Sequence, residues 1–361
     1  NLQNLVFDLQ NNEKNFSLMF KENILDKILY RAKKLIPKSV FNFLAPVYHA
    51  GLAFAGAVIY GFPSWKMKVI GVTGTKGKST TVFLITKILE NALRNAHGKP
   101  VGVAAIGSLG FKIKEREWPN TLKMTMPGRF KLQKFLFEAK RSGCEYVVLE
   151  VTSEGIKQKR HLGIKFDCAV FTNLHKEHIE SHGSFENYRK AKEELFAITK
   201  NIHVLNADDP NIEHFGKYPA KRKMFFGLKR GDMKAGNIEN TENGIRFDIY
   251  GTVFNLNLAG EFNVRNCLAA LAVAAIYGID LPSAKPILES IKSIPGRMEF
   301  IPVSVKTSAG GQKNFKVVVD YAHTPDSLEA VYKTLKTQSA SWRTKLKTQN
   351  KKLICVLGAA G

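Results

Sequence analysis

The stretch VIGVTGTKGKSTTVFLITKIL, Val69–Leu89, decides the fold. An apolar run leads through Gly74, Thr75, Lys76 and Gly77 into Lys78, Ser79 and Thr80, and apolar residues then recur at helical spacing. Buried strand, glycine-rich turn and helix in that order make a phosphate cradle. The glycines permit a tight backbone that turns amide N–H groups inward, and the helix presents its N-terminus to the anion. Lys78 is placed to reach terminal phosphates, and the Ser79 hydroxyl to ligate Mg²⁺. A glycine-rich corner alone is a common structural turn, but Gly-Lys-Ser-Thr behind an apolar strand points to a nucleotide. The spacing is unusual: a P-loop has a glycine five residues before Gly77, and Val72 stands there.

Outward from this loop, strands alternate with helices. YVVLEV (146–151), CAVFTN (168–173) and IHVLNAD (202–208) read as buried strands. KLQKFLFEAKRSG (131–143) and SFENYRKAKEELFAIT (184–199) read as helices between them. This alternation predicts an α/β fold with a doubly wound, mainly parallel sheet. From about Lys221 to Leu258 the texture turns β-rich, with IRFDIYGTVFNLNL (245–258) as an antiparallel insert; FNVRNCLAALAVAAIYG (262–278) reads as a helix. Near IPGRMEF a further unit begins, with strands FKVVVDYA (315–322) and KLICVLGAAG (352–361) around one helix. It reads as an incomplete Rossmann-like domain. The expected division is 1–65, an N-terminal helical and apolar segment; 66–297, the P-loop domain; and 298–361, the partial C-terminal domain. Asn1 and the stop after a strand and glycine turn both suggest a fragment.

The bulk properties narrow the classes. With 361 residues, 44% hydrophobic and 10% aromatic, the chain is globular rather than disordered. Cys144, Cys168, Cys267 and Cys355 are far apart and sit in apolar runs, so buried thiols in a reducing cytosol are expected rather than a disulfide frame or a zinc site. The net charge of +23 fits either a nucleic-acid or membrane-surface footprint, or solvated faces around a site for anionic substrates. Its scatter favours the second, leaving denser groups at Lys27–Lys38 and Arg343–Lys352. The run Val40–Phe62 is long enough to span a bilayer, yet holds Asn42, Pro46 and His49 and turns Ala/Gly-rich. A packed helix is the expectation, with surface attachment through residues 40–62 kept open by the basic cluster before it.

The altered loop resembles the G-T-[NK]-G-K-[ST] loop of the Mur ligases and their folylpolyglutamate-synthetase relatives. Further segments resemble the MurE type, the UDP-N-acetylmuramoyl-tripeptide synthetases. These are MTMPGRFKLQKFL, LEVTSEGIKQKR, FTNLHKEHIESHGSFENYRKAKEELF, LAGEFNVRNCLAALA, IPGRME and VVDYAHTPDSLE. The resemblance covers roughly Tyr60 to Gly361. DYAHTP and LEVTSEG are similar to the MurE type rather than to the folate type.

The resemblance implies an ATP-dependent amide ligase, cytoplasmic and monomeric, that forms an acyl phosphate and adds meso-diaminopimelate or lysine to UDP-MurNAc-L-Ala-D-Glu in peptidoglycan synthesis. It implies that Gly74–Thr80, Asn263, Asn266, Arg297, Asp320 and His323 contact ATP. It implies that Thr125, Met126, Thr152, Ser153, Gln158 and Arg160 grip the muramoyl dipeptide, Arg160 being suited to a bidentate contact with a carboxylate or phosphate. Two Mg²⁺ ions are implied, one on Ser79 and Glu150, the other on His178 and Lys192. An ammonium cannot ligate a metal; in the resembled family the Lys of YRKAK is carbamylated, which would make Lys192 an anionic ligand. Lys78, Lys192, His178 and Glu150 are thus the catalytic candidates.

The departures are specific. Met126, Glu154 and Glu177 replace the family's second Thr, its His and its Asp. The residues before the P-loop are too few for the family's UDP-binding domain, and the segment that would select the amino acid is not present. The competing reading, a non-catalytic nucleotide-binding protein on a membrane surface or nucleic acid, draws on the charge and the apolar run. Two complete candidate metal sets argue against it, and no nucleic-acid partner is expected.

Overall fold

The structure, a computed structural model, describes residues 38–94, 96–122, 124–177, 179–241, 244–301, 305–306, 312–313, 317–346 and 353–358. The quoted stretch supplies strand β1 (Lys68–Thr73) and helix α2 (Lys78–Ala92), preceded by helix α1 (Lys38–Ile59). Eight more strands follow: β2 (Gly102–Gly107), β3 (Gly110–Ile113), β4 (Arg116–Trp118), β5 (Cys144–Glu150), β6 (Phe166–Phe171), β7 (Ile202–Asn206), β8 (Arg222–Gly227) and β9 (Met233–Lys234). They form one nine-stranded sheet in the order β4-β3-β2-β5-β1-β6-β7-β8-β9. From β2 to β9 every neighbouring pair is parallel, and β3 and β4 add an antiparallel edge. The expected doubly wound α/β sheet is therefore what forms.

Both faces of the sheet are covered, so the central strands are apolar on both sides instead of alternating. In β1, Ile70 and Val72 pack with α2 and with helices α8 (Glu261–Ile276) and α9 (Leu281–Ser290), while Val69 points to the opposite core. That second core receives Leu132, Phe135 and Leu136 of α3 (Arg129–Arg141), and Leu195 and Phe196 of α6 (Phe185–Ile198). The short helices α4 (Ser153–Lys157), α5 (Ile179–His182) and α7 (Ile212–Gly216) lie on the loops that leave the carboxyl ends of β5, β6 and β7. The Thr152 side chain accepts from Gly155 N at the start of α4, and Ser184 accepts from Asn187 N at the start of α6, which fixes where each begins.

Three readings change. The segment 221–258 is not one insert: β8 and β9 join the main sheet. Only β10 (Gly236–Asn240), β11 (Ile245–Ile249) and β12 (Thr252–Leu256) make a separate antiparallel sheet. After Arg297, β13 (Glu299–Ile301) pairs antiparallel with β16 (Val317–Val319), the small ladder β14 (Val305–Lys306) with β15 (Gln312–Lys313) lies between, and α10 (Pro325–Leu346) follows. Residues 353–358, read as part of a strand, are not in one: no described strand pairs with them, and Leu353, Ile354, Val356 and Leu357 are exposed. Cys355 is exposed for the same reason, whereas Cys144, Cys168 and Cys267 are buried free thiols as expected.

The apolar run 40–62 falls mainly on helix α1; a 3₁₀ turn, Pro63–Lys66, follows it, and both dock on α3. No helix among the described residues is long and apolar enough to cross a membrane. Small residues make the contact: Ala53, Gly56 and Ala57 are buried. At Gly163, φ is +78° and a Cβ would stand 2.4 Å from the Ala57 Cβ. Gly163→Ala should therefore destabilise the chain by about 2 kcal/mol, through backbone strain and overpacking together. Urea unfolding is the measurement.

Candidate active site

β1 ends at the centre of the sheet, with β5 on one side and β6 on the other, which is where an open α/β sheet leaves a crevice beyond its strand ends. The turn from β1 into α2 needs its glycines. At Gly74, with φ +148°, a Cβ would stand 2.0 Å from Thr172 Oγ1; at Gly77, with φ +80°, it would stand 2.3 Å from Asn266 Oδ1. The loop is braced from outside by the residues after β6. Asn173 Oδ1 accepts from Lys76 N at 2.9 Å, Thr172 Oγ1 donates to Lys76 O at 2.7 Å, and His175 N donates to Thr75 Oγ1 at 2.9 Å. Thr75 Oγ1 also pairs with the buried Tyr188 hydroxyl at 3.0 Å.

The crevice is a cavity of about 1010 Å³. Its lining brings together nearly all the residues singled out from sequence: Thr75–Thr80 and Glu150; Thr125, Met126, Thr152, Ser153 and Arg160; Lys192; and Asn263, Asn266, Arg297, Asp320 and His323. Two do not line it. Gly74 contributes its carbonyl, which accepts from Lys192 Nζ at 2.7 Å. Gln158 stands behind Arg160, its Oε1 accepting from Arg160 Nη2 at 2.8 Å, while the Arg160 Nη1 donates to the Met126 carbonyl. His178 lies outside the described residues.

At the glycine-loop end of the cavity, Ser79 Oγ donates to Glu150 Oε2 at 3.0 Å and accepts from Arg297 Nη2 at 3.2 Å, and Ser108 N reaches the same Glu150 oxygen at 2.9 Å. Glu150 is buried at the end of β5. Lys78 Nζ is folded back on Thr75 O at 2.8 Å. Burial lowers its pKa against the opposing pull of Glu150 and Glu177. Burial also drives the Lys192 amine well below its ordinary value, with the Lys78 charge adding to the effect. Lys192 Nζ sits 4.6 Å from the Tyr188 ring centre, and burial pushes that phenol up to about 12. A buried carboxylate beside a hydroxyl at a helix N-terminus suits Mg²⁺, which takes few protein ligands and keeps phosphate and water for the rest. No group of three His, Cys, Asp or Glu placed to hold a metal ion occurs among the described residues, and such a site does not need one.

Asn263 lies in the first turn of α8, whose start has no side-chain cap. Its Nδ2 donates to Ala259 O at 2.8 Å and its Oδ1 accepts from Asn266 Nδ2 at 3.2 Å, and both residues face the cavity. Asp320 is held by backbone: it accepts from Met298 N and Ala322 N, both at 2.7 Å. The sequence reading assigned no role to Thr172, Asn173, His175 or Tyr188, although all lie in the quoted FTNLHKEHIESHGSFENYRKAKEELF segment. Ser108 lies in an unread stretch, and Thr324, which accepts from Lys76 Nζ at 2.9 Å, is 248 residues from its partner.

The Mur ligase middle domain family matches residues 72–274, more than half of the chain. The chain belongs to the Mur ligase family. This Mur ligase chain is 35% identical to a UDP-N-acetylmuramyl-tripeptide synthetase of Roseiflexus sp., over 88% of its own length and 61% of the relative's. It is 38% identical to a UDP-N-acetylmuramoyl-L-alanyl-D-glutamate–2,6-diaminopimelate ligase of Geobacillus thermodenitrificans, over 84% of itself and 62% of that protein. The chain thus spans under two thirds of the length of these relatives. A solved structure of such a diaminopimelate ligase superposes with a TM-score of 0.61 at 29% identity, over 75% of this chain and 54% of the other.

Gly77→Ala should weaken ATP binding by about tenfold or more, because the new Cβ must displace Asn266 or open a left-handed turn; titration calorimetry reads the loss. A second expectation concerns Glu194, on the helix that carries Lys192. Burial acts to raise its carboxyl, but hydrogen bonds from His161 and Lys159 outweigh it and hold the group at about 2. Its folded value lies below the unfolded value near 4.5, so its contribution is full above that value and is lost as pH falls toward 2. Glu194→Gln should flatten the acid limb of the stability profile by about 1 kcal/mol after allowance for solvent screening. Urea midpoints measured down the acid range check this.

Proposed function

We propose that this chain is the nucleotide- and muramoyl-peptide-binding part of a cytoplasmic ATP-dependent amide ligase of the MurE type. It acts as a monomer and adds a diamino acid, meso-diaminopimelate or lysine, to UDP-MurNAc-L-Ala-D-Glu in peptidoglycan synthesis. The observation that carries this reading is the convergence, in one cavity, of the P-loop, the Ser79–Glu150 pair, the buried Lys192 and the Arg160 shelf. In the proposed division, residues 66–297 hold ATP, residues 298–361 begin the unit that brings the amine, and residues 1–65 are a separate N-terminal segment, of which 1–37 lie outside the described residues.

A carboxylate is a poor acyl donor at neutral pH. Transfer of the γ-phosphoryl group from ATP to the D-Glu carboxylate gives an acyl phosphate and ADP. Attack by the amine then forms the C–N bond, expels phosphate and releases the amine proton. Lys78, Arg297 and the amides at the start of α2 face the charge that builds on the transferring group. Asn263, Asn266, Asp320 and His323 hold the rest of the nucleotide. Thr125, the Met126 backbone, Thr152, Ser153 and Arg160, which Gln158 orients, bind the dipeptide.

Ser79 and Glu150 would hold one Mg²⁺, and His178 with a carbamylated Lys192 a second; the ions supply positive charge to the phosphates. Burial favours the free Lys192 amine, the form that adds to CO₂: an N–C bond forms and a proton is lost, leaving an anionic carbamate.

The test is ADP release with Mg²⁺ and bicarbonate, with and without UDP-MurNAc-L-Ala-D-Glu, and with lysine or diaminopimelate in separate tubes. Release that depends on the dipeptide and rises further with one amino acid supports the ligase. ATP binding without any stimulation, from the full-length gene product as well, would leave a non-catalytic nucleotide-binding protein. Lys192→Arg should lower turnover by about a hundredfold or more while ATP affinity changes by less than about threefold. A ¹³C-bicarbonate carbamate resonance should be present in the parent and absent from the variant.

A further inference from the structure

Helix α1 is amphipathic in size rather than in polarity. Its small residues Ala53, Gly56 and Ala57 are buried, while Val47, Phe54, Val58 and Ile59 are exposed. Val47, Phe54 and Val58 fall on one helical face with Gly51, and are 72%, 59% and 52% exposed. Ile59 and, on the following turn, Trp65 extend the patch at 66% and 62% exposure. Phe62 joins it to the turn, with ring centres 5.9 Å from Phe54 and 5.0 Å from Trp65. A contiguous apolar surface of this kind on a folded chain marks something that covers it.

Charge indicates what covers it. No Asp or Glu occurs from Lys27 to Leu89, whereas the sequence carries the Lys27–Lys38 cluster up to the first residue of the helix and exposed Lys66 stands just after it. An apolar strip ending in a tryptophan and bracketed by cations is matched by an anionic lipid surface, where the strip enters the headgroup–acyl boundary and the lysines meet the headgroups.

We propose that α1 and the Trp65 turn lie flat on an anionic bilayer and hold the chain at a membrane surface without crossing it. The binding face is on the outer side of α1, away from α3, so it is separate from the active-site cavity, whose lining contains no residue of α1.

The experiment is co-sedimentation of the full chain with vesicles of phosphatidylglycerol and phosphatidylcholine, against vesicles of phosphatidylcholine alone, with Trp fluorescence read in parallel. The expected result is sedimentation with the anionic vesicles that falls steeply as salt is raised through about 0.5 M. A blue shift in emission should accompany it and be absent in Trp65→Phe. Phe54→Glu with Val58→Glu, both at exposed positions, should reduce the bound fraction about tenfold or more while the melting temperature and ATP binding hold. Lys33→Glu with Lys34→Glu leaves the apolar face intact and should weaken binding to anionic vesicles only. The proposal is overturned by no binding to the anionic vesicles, by equal binding to both vesicle types, or by Glu substitutions that leave binding unchanged. It is likewise overturned if those substitutions instead dissolve a dimer seen by light scattering, which would assign the face to a second copy.

Discussion

At Gly74 and Gly77 the nucleotide loop has neighbours where a side chain would begin: Thr172 Oγ1 and Asn266 Oδ1 stand 2.0 and 2.3 Å from the two missing Cβ positions. The loop is therefore clamped between the end of β6 and the start of α8 rather than left as a free turn. This constraint orders the rest of the site. Because Thr172 and Asn173 must reach the Lys76 backbone, β6 must lie beside β1, which places the following segment and α6 over the loop. Lys192 then meets the Gly74 carbonyl from above, and Asn263 and Asn266 close the other side. A preformed cradle of this kind spends little ordering entropy when a phosphate arrives.

The same crowding concentrates positive charge. Lys78, Lys192 and Arg297 converge on the loop with Glu150 and Glu177 as their near counter-charges, and burial acts against the charged forms of both lysines. Such groups are poorly solvated until a polyanion completes them. Lys78 meanwhile satisfies one donor on the Thr75 carbonyl of its own loop. A nucleotide phosphate would replace that internal contact with a stronger charge-assisted one, so the arrangement favours the bound state by leaving the free state under-compensated. Lys192 is in a different position. It is the more deeply desolvated, and its Gly74 contact asks only for an N–H donor, which a neutral amine also has.

What could be read from the sequence follows a physical division. The P-loop, β5, β6 and β7 were legible because central parallel strands are continuous apolar runs and the loop's chemistry is local in sequence. β2 to β4 were not: GVAAIG is built of small residues, and the β3–β4 hairpin has strands of four and three residues, so neither periodicity nor length marks them. β8 reads with the insert because the β-like, turn-rich texture runs on from it unbroken; in the fold it is buried only toward its end, at Phe226 and Gly227, and its partner β7 is parallel, so no hairpin marks the pairing. The site residues were legible as motifs but their supports were not. Tyr188 beneath Thr75, Ser108 on Glu150 and Thr324 on Lys76 are contacts across 113, 42 and 248 residues, which only the fold brings together.

The outer helix is tied to this site by a short run of direct contacts. α1 meets α3 through small residues: a Cβ on Gly56 would already be in van der Waals contact, at 3.5 Å, with Phe130 and Gln133 side-chain atoms, which leaves no space beyond a methyl. At the start of α3, Arg129 donates through Nε and Nη2 to the Gln158 carbonyl at 3.0 and 2.7 Å. Gln158 in turn accepts from Arg160 and donates to Glu154 at 2.5 Å. Where the resembled family has His, Glu154 thus anchors the amide that aims the cavity-lining Arg160. Ser64, in the turn after α1, meets the same segment from the other side, donating to Gly163 O at 3.3 Å and accepting from Lys165 N at 3.1 Å. α1 and its turn therefore buttress the Arg160 segment with their inner face, which explains why that face consists of Ala and Gly. Close approach to Gly163 and α3 leaves no room for larger side chains there, and bulky Val47, Phe54, Val58 and Ile59 are on the outside.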